Sequence, residues 1–366
     1  MRVLVTGGLG VNGAWVVRRL VDEGHQVTVA DVRPDLSLVP DLRDRVDVAS
    51  VDVRDLAALQ RALQGRRIQR LAHLAAVVPA ATDPYLGFSV NAQGTVNVLE
   101  AARTSGVQRV VPTSSRAASR ASSGTARRSS RPGRAPTHAY APITGVHGSP
   151  EYRPVPEEHP REPLPSMRVY SASKILAEEA GRQFAESFGL EFVALRFSTI
   201  YGPGKKARHG PIGVYSRIIE NAMLGVPTVV EKGGDERDDL VYVRDVAQGI
   251  VRALTADRVG HWVYNMGGGG VCSLGDFAAA VRQVLGDVRI DIGGGRDPLG
   301  LGPIYGRLDI TRAARDLGYA PEYDLARGIA DYAESLRRLD LQPTAQESQS
   351  SWSTGGALPG EEAAQG

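Results

Sequence analysis

Two side chains in the middle of the chain have the types and spacing of an acid–base pair. Tyr170 and Lys174 belong to the run Tyr-Ser-Ala-Ser-Lys, and they share one face if the segment is helical. A lysine ammonium near a phenol stabilises the phenolate, which lowers the pKa of the tyrosine and makes it a general base toward an alcohol. The chain has four lysines, at positions 174, 205, 206 and 232, so this spacing indicates chemistry; an ordinary exposed helix lysine is the alternative.

A glycine-rich turn near the amino terminus has the pattern of a phosphate-binding loop. An apolar segment ends in TGGLGVNG at 6–13, and a segment of helical period follows. Gly7, Gly10 and Gly13 permit a tight turn, close approach of a pyrophosphate, and packing of the helix on the strand. We expect Val11 and Asn12 to add backbone contacts at the start of that helix.

A carboxylate follows this loop at the distance expected for ribose recognition. Asp31 closes the second predicted strand, 18 residues beyond Gly13. Its charge would repel a 2′-phosphate, so it favours NAD over NADP, while Arg33 nearby keeps NADP as the alternative. A simple strand-end cap is the other interpretation of Asp31.

Short apolar runs alternate with segments of helical period through the first two hundred residues. The predicted buried strands are 2–5, 26–30, 46–51, 70–74, 109–111 and 191–197, and the predicted helices include 12–23, 55–63 and 91–105. Strict alternation predicts an α/β fold, a Rossmann-type doubly wound parallel sheet with helices on both faces. We assign this nucleotide-binding domain to residues 1–200.

The pattern becomes less regular after residue 200. The predicted helices there are 213–224, 245–254, 274–285 and 325–339, with short strands at 228–231 and 262–265. We interpret 201–340 as a smaller mixed α/β lobe that binds the substrate. Residues 341–366 are rich in Gly, Ser, Gln, Ala and Glu, a composition that predicts a disordered tail.

Composition narrows the class of protein. Lys plus Arg total 43 against 41 Asp plus Glu, and the net charge of +2 gives no case for a nucleic-acid surface. We find no apolar run approaching about 18 residues, so no membrane span is expected. The opening MRVLVTGG lacks the ordered regions of a signal peptide, and the single Cys272 excludes an internal disulfide. We therefore expect a soluble protein of the cytoplasm.

Several motifs in order resemble those of one enzyme family. They are TGGLGVNG at 6–13, DVRD at 52–55, HLAA at 73–76, NAQGT at 91–95, TSS at 113–115, YSASK at 170–174, LRFSTIYGPG at 195–204 and RDDLVYVRDVA at 237–247. The series resembles the extended short-chain dehydrogenases/reductases, in the NAD-dependent epimerase/dehydratase group that mostly acts on nucleotide sugars. The resemblance covers roughly residues 1–338 apart from one segment after Ser115.

The resemblance implies roles on the cofactor. Asp52 and Val53 would contact the adenine. Leu74, Ala75 and Ala76 would border the nicotinamide. NAD is therefore the expected cofactor, and no metal is expected.

The resemblance also implies the roles of the reacting groups. Ser115 would hold the substrate oxygen beside the Tyr170 base, and Lys174 would also bind the nicotinamide ribose. Asn91 would support Lys174 through water. Arg237 would grip a substrate phosphate, with Arg307 as a weaker candidate for a second; a surface ion pair with a neighbouring aspartate is the alternative for Arg237.

Two departures from the family pattern limit the choice of reaction. Thr199 stands where many sugar-nucleotide enzymes have an asparagine that touches the substrate diphosphate, which weakens the nucleotide-sugar interpretation. Arg116 follows Ser115 where dehydratases have an Asp-Glu pair that expels water. The sequence therefore disfavours 4,6-dehydration.

A third departure lies directly beside the catalytic serine. Ser115 and Tyr170 are 55 positions apart, about twice the expected spacing, and residues 116–139 hold many arginines but no acidic or large apolar residue before Tyr140. We predict an insertion without ordered structure. It could be a flexible loop, a lid whose arginines reach an anionic substrate, or a stretch from a shifted reading frame.

These features predict an NAD-dependent epimerase-type oxidoreductase acting on a sugar hydroxyl of a nucleotide sugar. One alternative is an NAD(P)-dependent dehydrogenase or reductase of a free sugar, polyol or steroid-like alcohol. Another is a non-catalytic nucleotide-binding protein, although a pure binder has no need of the Tyr-Lys pair. Helices 91–105 and 170–188 could form a homodimer interface.

Overall fold

The computed structural model describes residues 1–77, 83–116, 154–159, 161, 168–205, 213–296 and 307–345. Its strands are β1 (Arg2–Thr6), β2 (Gln26–Asp31), β3 (Val46–Ser50), β4 (Arg70–His73), β5 (Arg109–Ser115), β6 (Glu191–Phe192), β7 (Ala194–Phe197), β8 (Thr199–Tyr201), β9 (Thr228–Val230), β10 (Arg237–Asp238), β11 (Leu240–Tyr242), β12 (Val263–Met266), β13 (Cys272–Ser273) and β14 (Ile290–Ile292). Its α-helices are α1 (Val11–Asp22), α2 (Leu56–Arg66), α3 (Pro84–Phe88), α4 (Gly94–Thr104), α5 (Arg168–Phe188), α6 (Val214–Met223), α7 (Val243–Thr255), α8 (Leu274–Leu285), α9 (Thr311–Leu317) and α10 (Leu325–Arg338).

Eight of the described strands form one parallel sheet, in the order β12-β7-β5-β4-β1-β2-β3 with β6 beside β5. The strand order reverses between β1 and β4. In sheets of this kind, ligands bind at the carboxyl ends of the strands near such a reversal. The predicted Rossmann-type doubly wound fold is confirmed.

Helices cover both faces of the sheet. On one face α1 packs against α7, and on the other α2, α4 and α5 pack side by side. Each face has its own apolar core: Trp15 and Val246 lie in the first, and Leu59 and Val98 in the second. Strands buried on both sides explain why they read as continuous apolar runs in the sequence.

One element lies elsewhere than the sequence suggested. The strand near 262–265 was assigned to the smaller lobe, but β12 extends the main sheet, with Tyr264 beside Leu195 of β7. Helix α7 likewise packs directly on β4 and β5 of the main sheet, beside α1. The sheet therefore draws elements from both sides of the boundary predicted at residue 200.

Two predicted irregular segments have ordered first residues. Arg116, the first residue of the predicted insertion, is buried and paired with Asp238. At the predicted tail, Leu341 packs on the core and the Thr344 amide donates to Glu220 at 2.9 Å. Residues 117–153 and 346–366 lie outside the described residues, so the rest of both predictions stays a prediction.

No helix among the described residues is long and apolar enough to cross a membrane.

Candidate active site

The turn between β1 and α1 leaves its backbone accessible at one edge of the sheet. Gly7 has φ +67°, and a Cβ there would lie 2.6 Å from the Ala75 backbone nitrogen. A Cβ on Gly13 would lie 2.1 Å from the Gly7 carbonyl oxygen, whereas one on Gly10 would meet only that oxygen, at 3.2 Å. Helix α1 begins at Val11, and Gly10 before it has no side chain to cap the first amides. This geometry fits a pyrophosphate bound by backbone amides and the positive helix end.

Two polar side chains border this loop. Asp31 accepts hydrogen bonds from the Leu9 amide at 3.1 Å and the Arg33 amide at 3.2 Å, which fix its half-buried carboxylate beside the turn. The Oδ1 atom of Asn12 is buried with no hydrogen-bond partner among the described residues. Because buried polar atoms are normally paired, this acceptor indicates a place for a bound molecule.

The segment after β4 is fixed at both ends by hydrogen bonds, at one end to the loop and at the other to Asn91. The Leu74 amide donates to the Thr6 carbonyl at 3.0 Å. At the other end, the Asn91 side chain donates to the Val77 carbonyl at 2.9 Å and accepts from the Val77 amide at 2.8 Å. These bonds position residues 74–77 at the sheet edge. Since they use both polar atoms of the Asn91 side chain, its water-mediated support of the catalytic lysine stays a prediction.

A series of hydrogen bonds between uncharged side chains lies beneath residues 74–77. The Thr95 hydroxyl donates to the Asn91 carbonyl at 2.7 Å, so it accepts from His73 Nε2 at 2.9 Å. His73 Nδ1 then accepts from the Thr6 hydroxyl at 2.7 Å, and that hydroxyl accepts from the Ala75 amide at 3.4 Å. Burial lowers the pKa of His73 to about 3, with a further contribution from a nearby ammonium. The imidazole is therefore neutral and ties the loop to the next helix.

The three predicted catalytic side chains meet at the end of β5 and the start of α5. Ser115 is the last residue of β5, and its hydroxyl forms a hydrogen bond with the Tyr170 phenol. The Lys174 ammonium lies 5.6 Å from the centre of the Tyr170 ring and donates to the Thr113 carbonyl at 2.8 Å. A hydroxyl, a phenol and an ammonium so arranged can bind an alcohol oxygen and exchange a proton with it.

Burial shifts the pKa values of both Tyr170 and Lys174. Burial raises the pKa of Tyr170 to about 12, against the opposing effect of the Ser115 hydrogen bond. Burial also lowers the pKa of Lys174 to about 8, while the Glu178 charge raises it. The net pKa of Tyr170 is thus raised, because burial costs the phenolate more hydration than its neighbours replace; the lowering effect of Lys174 on this pKa stays a prediction.

Asp52 and Val53, the predicted adenine contacts, follow β3. Asp52 pairs with Arg54 at 2.6 Å, which lowers the pKa of the Asp52 carboxyl. Val53 is buried against Gly94, and its carbonyl accepts from the Asn97 side chain at 3.1 Å. The adenine contact stays a prediction for both.

The predicted substrate residues gather around β10. The Thr199 amide donates to the Asp239 carbonyl at 3.1 Å, and the Asp239 carboxylate accepts from the Leu308 amide at 2.9 Å, which brings Arg307 to this edge. Arg237 is exposed and forms no ion pair within the part of the chain that the structure describes. The Arg307 Nε atom is buried, and no described residue forms a hydrogen bond with it. Both guanidinium groups therefore have capacity for an anion.

The residues at this sheet edge fit NAD. The loop backbone can hold the pyrophosphate, Asp31 a ribose, and residues 74–77 the nicotinamide side. Among the described residues there is no group of three or more His, Cys, Asp or Glu that could hold a metal ion.

Comparison with known proteins decides the family. The model of the NAD dependent epimerase/dehydratase family matches residues 3–267. The chain belongs to this family. The UDP-glucose 4-epimerase of Mycolicibacterium smegmatis is 29% identical, over 92% of this chain and 99% of its own. The Thermus thermophilus UDP-glucose 4-epimerase, solved in complex with NAD, is 28% identical with a TM-score of 0.69, over 92% of this chain and 99% of its own. The UDP-glucose 4-epimerase of Thermotoga maritima shares the fold at 24% identity, with a TM-score of 0.71 over 92% of this chain and 99% of its own.

This member of the epimerase/dehydratase family has a buried ion pair behind its catalytic helix that the sequence analysis missed. Glu178 binds the Arg196 guanidinium through two hydrogen bonds, at 2.8 and 2.7 Å, and both side chains are 1% exposed. Glu178 also accepts from the Ser114 hydroxyl at 2.6 Å. Its position four residues after Lys174 was a signal in the sequence, since the two share a helix face. The partner Arg196 carried no comparable signal.

Proposed function

We propose that this protein is an NAD-dependent epimerase that inverts a hydroxyl-bearing carbon of a UDP-sugar. The observation that carries the proposal is the Ser115–Tyr170 hydrogen bond beside Lys174, at the same sheet edge as the phosphate-binding loop. The relatives named UDP-glucose 4-epimerase support it, because they align with this chain over almost their whole length.

The chain's own groups manage the proton of the sugar hydroxyl. NAD, when bound, supplies a hydride acceptor that returns the hydride to the sugar carbon. Ser115 orients the sugar oxygen, and Tyr170 takes its proton and gives it back. With a pKa of about 8, Lys174 is mostly cationic at neutral pH and stabilises negative charge that develops on the phenol.

The opposite end of the substrate is anionic, and the cations around β10 suit it. Arg237 and Arg307 would bind the diphosphate, because guanidinium groups form paired hydrogen bonds with phosphate oxygens. Thr199 would contact the same group or the sugar. The carboxylates of this region do not oppose this role, since Asp238 is paired with Arg116 and Asp239 binds backbone amides.

We also propose a homodimer that works in the cytoplasm. Apolar side chains remain exposed on α3 and α5, namely Tyr85, Leu86, Phe88, Leu176 and Phe188. A face of this kind on helices suits a second copy of the chain.

Two assays test the proposal together. The purified protein is denatured and the released nicotinamide nucleotide is quantified, and the native protein is incubated with UDP-glucose while its C4 epimer is measured. Near-stoichiometric NAD with interconversion supports a cofactor recycled within each turnover. Absence of both refutes the proposal, and net accumulation of NADH with a keto product would assign a dehydrogenase instead.

The phenol provides the sharpest single variant. Tyr170→Phe removes the proton carrier and keeps the ring, so kcat should fall by about a thousandfold while NAD is retained. Tyr323→Phe, in the carboxyl-terminal part of the chain, is the control and should leave kcat unchanged. Full activity in Tyr170→Phe would remove the catalytic assignment.

A further inference from the structure

Arg116 connects the catalytic strand to the substrate-binding part of the molecule. It directly follows Ser115, and its guanidinium forms an ion pair with Asp238 of β10 at 2.5 Å. The same guanidinium donates to the Thr199 hydroxyl. The side chains of Arg116 and Asp238 are 9% and 8% exposed, so the pair is removed from water and weakly screened.

Asp238 is itself fixed in place. Its backbone pairs with Cys272 of β13, and its carboxylate accepts from the Tyr215 hydroxyl at 3.5 Å. The residue before it is Arg237, a proposed phosphate ligand. The ion pair thus has the proposed phosphate arginine next to one end and the catalytic serine next to the other.

Ser115 needs such support because it lies at the end of its strand. Its last ladder partner is Phe197 of β7. Arg116 is the described residue that follows Ser115, and its side chain holds it in place, since β5 ends at Ser115.

We infer that Arg116 is a positioning residue: held by Asp238 and Thr199, it fixes the Ser115 hydroxyl against the Tyr170 phenol. The inference rests on the proposed epimerase function. It assigns Arg116 no direct contact with the reacting atoms.

A positioning role for Arg116 predicts a loss of kcat that a purely structural role would not cause. The Ser115 hydrogen bond lowers the pKa of Tyr170, in opposition to burial. If Ser115 moves away, the phenolate loses that stabilisation, so kcat falls while the dissociation constant of UDP stays the same.

The main variant is Arg116→Gln. We expect kcat at neutral pH to fall by about 100-fold, the cost of a misplaced catalytic group, with little change in the dissociation constant of UDP. Arg116→Lys keeps the charge for Asp238 and should recover part of the rate. The double variant Arg116→Gln, Asp238→Asn removes both charges, so that neither is left buried without a partner. Its kcat and its melting temperature should be no lower than those of Arg116→Gln alone.

The same strand offers a matched control at its other end. Arg109 is fully buried at the start of β5, pairs with Glu191, and donates to the Ala253 carbonyl at 2.9 Å and the Ala256 carbonyl at 2.6 Å at the end of α7. Arg109→Gln should lower the melting temperature but leave kcat per folded molecule unchanged. An equal fall of kcat per folded molecule in Arg109→Gln would overturn the inference.

A crystal structure of Arg116→Gln tests the inference without any measurement of activity. We expect the Ser115 hydroxyl beyond hydrogen-bond distance of the Tyr170 phenol. An intact Ser115–Tyr170 hydrogen bond overturns the inference, whatever the substrate is. Failure of the wild-type protein to interconvert UDP-sugars would instead refute the proposed function, so the two failures are distinguishable.

Discussion

The proposed cofactor side and the proposed substrate side of the candidate site are built from different contacts. The cofactor side, meaning the loop 6–13 with the ends of β2 and β4, depends on backbone amides, glycines and the neutral Thr6–His73–Thr95 chain. The substrate side, meaning β8, β10 and Arg116 with the segment 307–309, depends on ion pairs and guanidinium groups. Backbone contacts are specified by short motifs, whereas ion pairs join distant parts of the chain.

This difference predicts that the loss of a charge lowers the free energy of unfolding most where the ion pair is completely buried. Glu178→Gln leaves the Arg196 charge without its partner, which should cost about 3–5 kcal/mol in the free energy of unfolding. It also removes the charge that raises the pKa of Lys174, so that pKa should fall further. Urea unfolding measures the first effect.

Glu186→Gln is the matched control, because Glu186 lies on the same helix as Glu178 and pairs with Arg182, but the two side chains are 59% and 45% exposed. An exposed carboxylate keeps most of its hydration, so the loss should be below about 1 kcal/mol. Equal losses in the two variants would contradict the distinction between buried and accessible pairs.

The same difference explains how much the sequence could predict. The glycines of the loop, the position of Asp31 and the Tyr170–Lys174 spacing follow from local rules, and the structure brings them to one sheet edge. Arg116 and Thr199 are 83 positions apart, and no local pattern pairs them. Periodicity likewise identified the strand near 262–265 but not its neighbour in the main sheet. The rise in the Tyr170 pKa depends on burial, which the Tyr-Lys spacing alone does not report.

On the cofactor side, the neutral histidine of the Thr6–His73–Thr95 hydrogen-bond series should make the free energy of unfolding depend on pH. The pKa of His73 is about 3 in the folded protein, below its ordinary value of 6.5. Between these two pH values His73 is protonated in the unfolded chain but neutral in the folded protein. The free energy of unfolding therefore falls as the pH drops below 6.5. The slope is about 1.4 kcal/mol per pH unit, or nearly 3 kcal/mol at pH 4.5.

The measurement is the free energy of unfolding of wild type and of His73→Asn between pH 4.5 and 7. The difference between the two proteins should shrink as pH falls, because the variant lacks the buried imidazole. His261→Asn, which replaces an exposed histidine, should leave the slope in place. A constant difference between wild type and His73→Asn would mean that His73 is protonated in the folded state.

The smallest expected effect concerns a single carboxylate beside the loop. Asp31 already accepts two backbone amides, so Asp31→Asn can keep the turn while it loses the charge that a ribose hydroxyl would favour. NAD affinity should fall by about tenfold, the worth of one hydrogen bond to a charged group, and the preference for NAD over NADP should narrow because the repulsion of a 2′-phosphate is gone. Asp35→Asn replaces an exposed carboxylate four residues after Asp31 that accepts the Ser37 amide, and it should change neither quantity. Titration of both cofactors by intrinsic fluorescence decides the matter: an unchanged preference in Asp31→Asn would mean that the shape of the loop, and not this charge, selects the cofactor.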